Sequence, residues 1–263
     1  MTTVSESTGF ARQLKHWRRL RRVSQLDLAI RADTTQRHLS FLEQGRSRPG
    51  RTMVVRLAES LELSLRERNG LLLAAGYAPI FPESDFDTVE LAPVLEALRA
   101  ILDGHLPYPA LVLRPYGILL AANAAFDVLT EGAAPWLLEP PVNVLRLALH
   151  PDGLAARVVN LPEWGRHVTE ALRNRMARSP DPVLDELIGE LETYLPSTEP
   201  GPGHLGFAVP LRLHCAEGEL RLITTLTSFA TAVDVTLAEL QLEAFLPGDE
   251  QTTRILRERA ARR

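Results

Sequence analysis

Residues Ser24–Arg51, SQLDLAIRADTTQRHLSFLEQGRSRPGR, contain two short amphipathic segments separated by a three-residue break. The first opens with a capping box, Ser24-Gln-Leu-Asp27, which predicts a helix over residues 24–31. The second predicts a helix over residues 35–44, with Gly45 at the position where glycine commonly ends helices. Two helices joined by a short turn indicate a helix-turn-helix, whose second helix can lie in a groove of DNA.

The second of these helices has one residue that breaks its pattern. At about 100° per residue, Leu39 and Leu42 share a face that would pack on a core. The opposite face carries polar residues, but Phe41 lies among them. Three interpretations of Phe41 stay open: contact with a thymine methyl in DNA, packing on the fourth helix of its own domain, or a protein interface.

The groove interpretation assigns a chemical role to each outward residue. Arginine is the usual bidentate partner of guanine, glutamine can serve adenine, and a phenyl ring can contact the thymine methyl. Basic residues next to the helix would hold phosphates. The residues predicted to contact DNA are Gln25, Thr35, Gln36, Arg37, Ser40, Phe41, Gln44, Arg46, Arg48 and Arg51.

Charge is unevenly distributed along the chain. Residues 1–78 hold fourteen Lys and Arg against seven Asp and Glu, whereas the remaining residues are acidic and the whole chain has a net charge of −4. A basic head on an acidic body indicates that the head meets a polyanion. Charge alone leaves a chance fluctuation as an equal alternative.

The first 78 residues predict five short helices. A fourth covers residues 52–61, and a second capping box, Ser64-Leu-Arg-Glu67, opens a fifth that ends near Gly76. The stretch from Val23 to Leu63 resembles the lambdoid repressor/Cro family of DNA-binding domains, also called the xenobiotic-response-element family. Its landmarks are Ser24-Gln25, Leu28-Ala29, Leu39, Leu42-Glu43, Gly45, Pro49, Leu57-Ala58 and Leu61.

That resemblance implies specific roles on the DNA. It implies that Gln25 touches a phosphate, that Gln36, Arg37 and Ser40/Phe41 read bases, and that the loop from Arg46 to Arg51 lies on the backbone. The target sequence does not transfer, because Arg37-His38 is bulkier than the corresponding pair in many relatives.

The rest of the chain mixes helices and strands. The predicted parts are a helix-turn-helix domain at 8–77, a linker at 78–88, an α+β PAS-like domain at 89–250 and a frayed basic tail at 251–263. In the α+β domain, helices are predicted at 89–103, 123–130, 161–179, 181–195 and 234–245, and strands at 110–114, 117–122, 209–215 and 219–229. Asn123 is expected to cap the helix that follows it.

Three segments of this body are similar to the MmyB-like ligand-binding domain: PYPALVLRPYGILLAANAAFDVL, NVLRLALHPDGLAARVVNLPEW and AVDVTLAELQLEAFLP. The resemblance implies a PAS-like core, a buried apolar pocket and a fatty acid as the ligand class. Arg166 and His167 could meet a carboxylate head group, whereas the large rings could equally be core. The candidate ligand-binding residues are Tyr108, Asn123, Phe126, His150, Trp164, Arg166 and His167.

Other chemistry has little support in the sequence. Gly201-Pro-Gly203-His-Leu-Gly206 has the spacing of a dinucleotide motif, but it follows LPSTEP rather than a strand and is interpreted as a loop. Cys215 alternates with leucines as a core residue does. No metal site or cofactor is predicted, and no catalytic motif occurs. Without an apolar run long enough for a membrane span, and without a signal-peptide pattern, the expected location is cytoplasmic and nucleoid-associated.

These observations predict a sequence-specific transcriptional regulator rather than an enzyme. Its partners would be a double-stranded DNA operator, a second copy of the chain and a fatty-acid-like apolar molecule, with no membrane. One alternative is an enzyme that acts on a small apolar substrate and carries a DNA-binding head. Another is an interaction adaptor that does not use DNA, which would show no salt-dependent DNA affinity.

Overall fold

The chain forms two compact units in the computed structural model, which describes residues 3–86, 88–197, 209–229 and 231–263. One unit comprises Met1–Asp85 with Ala230–Ala238, and the other Phe86–Phe229 with Glu239–Arg263. The Gly-Pro-rich loop predicted at 197–206 lies, apart from Ser197, outside the described residues.

The first unit contains the five short helices that the sequence predicts. They are α1 (Thr3–Leu20), α2 (Gln25–Arg31), α3 (Gln36–Glu43), α4 (Arg51–Ser60) and α5 (Leu65–Ala74). The capping box of α5 is complete, because the Ser64 hydroxyl accepts the Glu67 N–H and the Glu67 carboxylate accepts the Ser64 N–H. At α2, the Ser24 hydroxyl accepts the Asp27 N–H at 3.0 Å. Phe10, Leu14, Leu28, Leu39, Leu42 and Leu57 are buried in one core.

The second unit is α+β. Its helices are α6 (Ala92–Gly104), α7 (Asp127–Thr130), α8 (Val144–Leu149), α9 (Leu161–Arg178), α10 (Pro182–Thr193) and α12 (Glu250–Ala261), while α11 (Val235–Ala238) belongs to the first unit. Its strands are β1 (Ala110–Arg114), β2 (Ile118–Ala122), β3 (Leu211–Cys215), β4 (Gly218–Ser228) and β5 (Gln241–Pro247). The α+β class is therefore confirmed.

The five strands form one antiparallel sheet in the order β2-β1-β5-β4-β3. The last strand in sequence, β5, lies in the middle: Ala244 pairs with Ala110 of β1 on one side and with Thr225 of β4 on the other. The helix predicted over residues 234–245 is therefore wrong. The helical part ends at Ala238, and the residues from Gln241 onward are in a strand because hydrogen bonding on both edges outweighs their helical propensity.

The turn between β1 and β2 contains Pro115 and Tyr116 and depends on a glycine. Tyr116 has a φ of 63° and Gly117 a φ of 77°. A Cβ at Gly117 would lie 2.7 Å from Cγ of Leu145. Any side chain here would thus collide with α8 and would also be strained by the backbone angle.

Asn123 has a different role from the predicted helix cap. Its side chain makes no capping hydrogen bond to the turn that follows. Instead, the amide nitrogen donates to the carbonyls of Leu102 at 3.0 Å and Tyr108 at 2.9 Å, and the amide oxygen accepts the Ala110 N–H at 3.2 Å. Asn123 is buried and joins the end of β2 to the segment that leads from α6 into β1.

The basic C-terminal stretch was expected to fray, and that expectation is wrong. Residues Glu250–Ala261 form α12, whose first turn is capped by the side chain of Asp249. Ile255 and Leu256 are each 2 % exposed and belong to the core of the second unit. Basic residues in the last turn also suit the negative end of a helix.

Replacement of Leu256 tests whether α12 is part of the folded core. Leu256→Ala should lower the free energy of unfolding by about 2–5 kcal/mol, because it removes a buried side chain and leaves a cavity. Urea denaturation of the full chain measures the change. The control is Arg254→Ala on the same helix, whose side chain is 71 % exposed. Equal stability of the two variants would contradict the packing of α12.

Candidate DNA interface and ligand cavity

Helix α3 separates its buried and accessible residues as the periodicity predicts. Leu39 and Leu42 are fully buried, whereas Gln36, Arg37 and Gln44 are exposed. Thr35 is the N-cap of α3, and its hydroxyl accepts the His38 N–H at 3.1 Å. Thr35 is exposed and therefore begins α3 at the edge of the accessible face.

The outward side chains of α3 make contacts with one another. The amide of Gln44 donates to the hydroxyl of Ser40 at 2.9 Å. The guanidinium of Arg37 lies 5.4 Å from the centre of the Phe41 ring, within the range of a cation–π contact. These contacts order the face of α3 without removing Arg37 or Gln44 from solvent.

Phe41 is half-buried, and it is not one of the residues that form the core of the helical unit or pack against that core. Its position therefore lends no support to the interpretation that the ring packs on the fourth helix. The ring and the Arg37 guanidinium together present an apolar and a cationic group side by side on α3.

A basic loop follows α3 directly. Arg46, Arg48 and Arg51 are all exposed, and Pro49 between them is buried. The carbonyl of Pro49 accepts a hydrogen bond from the Tyr77 hydroxyl at 2.8 Å, which fixes the middle of the loop to the end of the domain. The loop thereby holds several cations next to the N-terminus of α4.

A buried ion pair fixes the helices of this domain relative to one another. The Nη2 of Arg18 on α1 donates to Oε2 of Glu43 on α3 at 2.9 Å, and Gln25 on α2 donates to the same oxygen at 2.8 Å. Gln25 is thus oriented by Glu43. Burial pushes the pKa of Glu43 upward, but the hydrogen bonds from Arg18 and Gln25 outweigh it, so the pKa is lowered overall. The carboxylate therefore stabilises the fold above its ordinary pKa, and this contribution is lost as the pH falls.

The second unit contains an apolar cavity of about 70 Å³ between the sheet and helices α7, α8 and α9. Most of its wall is aliphatic or aromatic. The lining residues are Leu111, Phe126, Leu129, Val144, Leu145, Leu147, Ala148, Leu154, Trp164, Val168, Leu211, Glu243 and Phe245. None of these described lining residues is Lys, Arg or His.

Glu243 is the single ionisable group of this wall. It lies on β5 two residues before Phe245, so both side chains point to the same face of the sheet. No residue in the described ranges forms a hydrogen bond or ion pair with its carboxyl group. Burial raises the pKa of Glu243 to about 7. The carboxyl is therefore divided between its protonated and ionised forms near neutral pH.

Two sequence comparisons match this arrangement. The MmyB-like transcription regulator ligand binding domain matches residues 94–258, more than half of the chain. The chain belongs to the MmyB-like transcription regulator family. A helix-turn-helix domain matches residues 10–71, which contain α2 and α3. The chain accordingly combines a helix-turn-helix domain with an MmyB-like transcription regulator ligand binding domain.

Other comparisons add less. No curated protein matches the chain. Among solved structures, the chain is similar to one described as an RNA-binding Light-Oxygen-Voltage receptor, with 17 % identity and a TM-score of 0.26. The match covers 95 % of this chain and 62 % of that one, so the chain spans less than two thirds of that structure.

Two of the seven candidate ligand-binding residues line the cavity of the MmyB-like domain. These are Phe126 and Trp164. Asn123 is occupied by the backbone of its own domain, and Tyr108 packs against the core without lining the cavity.

The polar candidates lie elsewhere. His150 stands between the rings of Trp136 and Tyr194, at 4.9 and 4.8 Å between ring centres, and its Nδ1 accepts the Asp152 N–H. Arg166 and His167 are exposed on α9 rather than beside the cavity, although Trp164 on the same helix is buried.

Glu243 was not among the sequence candidates. A signal was present, because Glu243 is an acidic residue within the otherwise largely apolar segment LQLEAFLP. The segment is predicted to be a helix, and an acidic residue on a surface helix is normally solvated.

Membrane-spanning helices and metal-ligand clusters are both absent among the described residues. None of their helices is long and apolar enough to cross a membrane. No group of three or more of their His, Cys, Asp and Glu side chains is placed to hold a metal ion.

Glu43→Gln tests the buried ion pair of the helix-turn-helix domain. It should lower the free energy of unfolding by about 3 kcal/mol, because it leaves the Arg18 guanidinium largely buried without a counter-charge. The measurement is urea denaturation at neutral pH. The matched control is Asp33→Asn, which breaks a pair with Arg56 in which the Asp33 side chain is 94 % exposed and which should change stability by about 0.5 kcal/mol or less. A Glu43 variant no less stable than this control would refute the role of the pair.

Proposed function

We propose that this protein is a sequence-specific regulator that binds a double-stranded operator through α3 and the loop from Arg46 to Arg51, and that an apolar ligand in the MmyB-like domain modulates the binding. The observation that carries the proposal is the accessible face of α3, with Arg37, Phe41 and Gln44 outward and Arg46 next to them.

The chemistry of this face suits DNA. The exposed guanidinium of Arg37 and the exposed amides of Gln36 and Gln44 are the groups that read guanine and adenine edges in the major groove. The exposed Arg46, Arg48 and Arg51 supply charge for phosphates, together with Gln25, whose side chain is oriented by Glu43. Thr35 and Ser40 complete the proposed contact set at the start and on the flank of α3.

Helix-turn-helix proteins commonly bind as two-fold dimers on half-sites one or two helical turns apart. We propose a homodimer here as well, acting on DNA in the cytoplasm and associated with the nucleoid. The net positive charge of the first 78 residues supports a DNA partner over a DNA-independent adaptor, since a basic surface draws the domain to a polyanion.

The ligand proposal rests on the cavity of the second unit. Its aliphatic and aromatic wall fits an alkyl-chain molecule of the fatty-acid-like kind. Phe126 and Trp164 would contact the chain. A volume of about 70 Å³ is less than half of the roughly 150 Å³ of an engineered apolar cavity that binds benzene. Binding must therefore enlarge the cavity and displace lining residues.

That displacement gives ligand binding a structural consequence. A ligand shifts a protein between two arrangements only through its differential affinity for them. Because the cavity has to expand, the elements that line it take different positions when ligand is bound. Strand β5 is one of these elements. We propose that this change alters how well the protein holds its operator.

Two arginines test the DNA assignment by different signatures. Arg37→Ala should weaken binding to the operator by about 1–3 kcal/mol with little effect on non-specific DNA, because it removes a base contact. Arg46→Ala should weaken both kinds of binding and reduce the slope of log K against log salt by about 0.9, because it removes a phosphate contact. Mobility-shift titrations with a promoter fragment at several salt concentrations give both quantities.

The matched control is Arg254→Ala on α12 of the other unit, which also removes one exposed positive charge. It should leave the DNA affinity and its salt dependence unchanged. Unchanged affinity and slope in both the Arg37 and the Arg46 variants would show that the proposed interface is wrong.

Phe41 has a test of its own. If its ring contacts a thymine methyl, replacing one thymine of the operator by deoxyuridine should weaken binding to the unaltered protein by about 1 kcal/mol or more. Phe41→Ala should weaken binding to the thymine operator. This variant should bind the thymine and the deoxyuridine operators with equal affinity. Urea denaturation of the variant is the control, and loss of folding would instead identify the ring as part of the core.

A further inference from the structure

The wall of the cavity in the MmyB-like domain carries a carboxyl group, that of Glu243. Glu243 supplies its only ionisable group among the described lining residues, and the carboxyl lacks a hydrogen-bond partner within the described ranges. Glu243 is half-buried, and a carboxyl on a mainly apolar wall with no protein partner gains free energy from a ligand that donates a hydrogen bond to it. The wall therefore favours one kind of ligand head group.

We infer that the ligand of this cavity is an apolar molecule whose polar end donates a hydrogen bond to the carboxyl of Glu243, as a hydroxyl or an amino group does. The inference rests on the proposed ligand function of the cavity and specifies its head group. It differs from a fatty acid bound as its carboxylate.

The geometry of the wall disfavours a carboxylate head. Arg166 and His167, the cations that could have met one, are exposed on α9 and do not line the cavity. A carboxylate placed beside the ionised form of Glu243 would put two negative charges together, so above the pKa of Glu243 a carboxylate ligand binds only if one of the two groups takes up a proton. A hydroxyl or amino group meets no such conflict, since it donates to either carboxyl oxygen.

The position of Glu243 supports a fixed contact. Both edges of β5 are paired, with Leu111 of β1 opposite Glu243 on one side and Leu226 of β4 on the other. A side chain anchored on a central strand is held more firmly than one on a loop. The pKa of Glu243, raised to about 7 by desolvation, agrees with its place on this mainly apolar wall.

Four probes of one size test the inference on the full chain: octan-1-ol, octan-1-amine, octanoate and 1-methoxyheptane. The cost of enlarging the cavity is nearly common to all four, so it cancels in the comparison. Isothermal titration calorimetry at pH 9, where Glu243 is ionised and octan-1-amine is still protonated, should show octan-1-ol and octan-1-amine binding about tenfold or more tightly than octanoate and 1-methoxyheptane.

Variants at Glu243 separate the head-group contact from the apolar wall. Glu243→Leu should bring octan-1-ol to the affinity of 1-methoxyheptane. Glu243→Gln keeps an acceptor, so octan-1-ol should stay within about threefold, whereas octan-1-amine should lose about tenfold with the charge. Leu129→Met changes the wall without changing its polar group, and should shift all four probes alike.

The outcomes distinguish two failures. Octanoate or 1-methoxyheptane binding as tightly as octan-1-ol, or an unchanged order in the Glu243 variants, overturns the head-group inference and leaves the cavity as a ligand site. Absence of binding by all four probes overturns the inference together with the proposed ligand function. If Glu243→Leu does not fold, the relative affinities of the four probes for the unaltered protein and for Glu243→Gln still test the head-group inference.

Discussion

The pairing of β5 along both of its edges is the constraint on which the second unit depends. Without it, the early hairpin of β1 and β2 and the late hairpin of β3 and β4 have no hydrogen-bonded connection. These hairpins are separated by about ninety residues of chain, so only a long-range contact can join them. The same strand carries Glu243 and Phe245 into the cavity. The strand that joins the two hairpins therefore also forms part of the cavity wall.

The helix-turn-helix domain could be predicted almost entirely from sequence, whereas β5 could not. Capping boxes at Ser24 and Ser64 are local signals, and a local signal suffices where a helix needs only its own hydrogen bonds. The segment from Asp234 to Phe245 is rich in Leu, Ala and Glu, which favour helices. Its strand conformation comes from partners that are distant in sequence. The local signal for a strand is the alternation of Leu240, Leu242 and Ala244 with two polar residues.

The difference between local and long-range contacts also separates the site residues that could be predicted from those that could not. Arg37 and Gln44 could be placed outward because α3 is a regular helix between two known ends. Arg166 and His167 follow Trp164 closely in sequence, which is why a ligand contact is expected of them. At about 100° per residue, however, Arg166 points to the opposite side of α9 from Trp164. His167 lies about 60° from Trp164 but at the edge of the buried face, where it is exposed. Glu243 was missed because an acidic residue on a helix is normally solvated, whereas on the central strand β5 it lies in the cavity wall.

The position of β5 also indicates how an occupied cavity can affect more than its own wall. Three residues before β5, Ala238 ends a segment whose described residues pack in the helical unit, where Thr236 donates to the Ser84 carbonyl and Asp234 accepts the Ser84 N–H. The chain from Asp234 to Phe245 is thus continuous from a helix of one unit to the cavity wall of the other. Since β5 is hydrogen-bonded on both edges, it moves as part of the sheet rather than alone. If a ligand enlarges the cavity as proposed, β5 therefore takes up the change together with β1 and β4, to which it is paired.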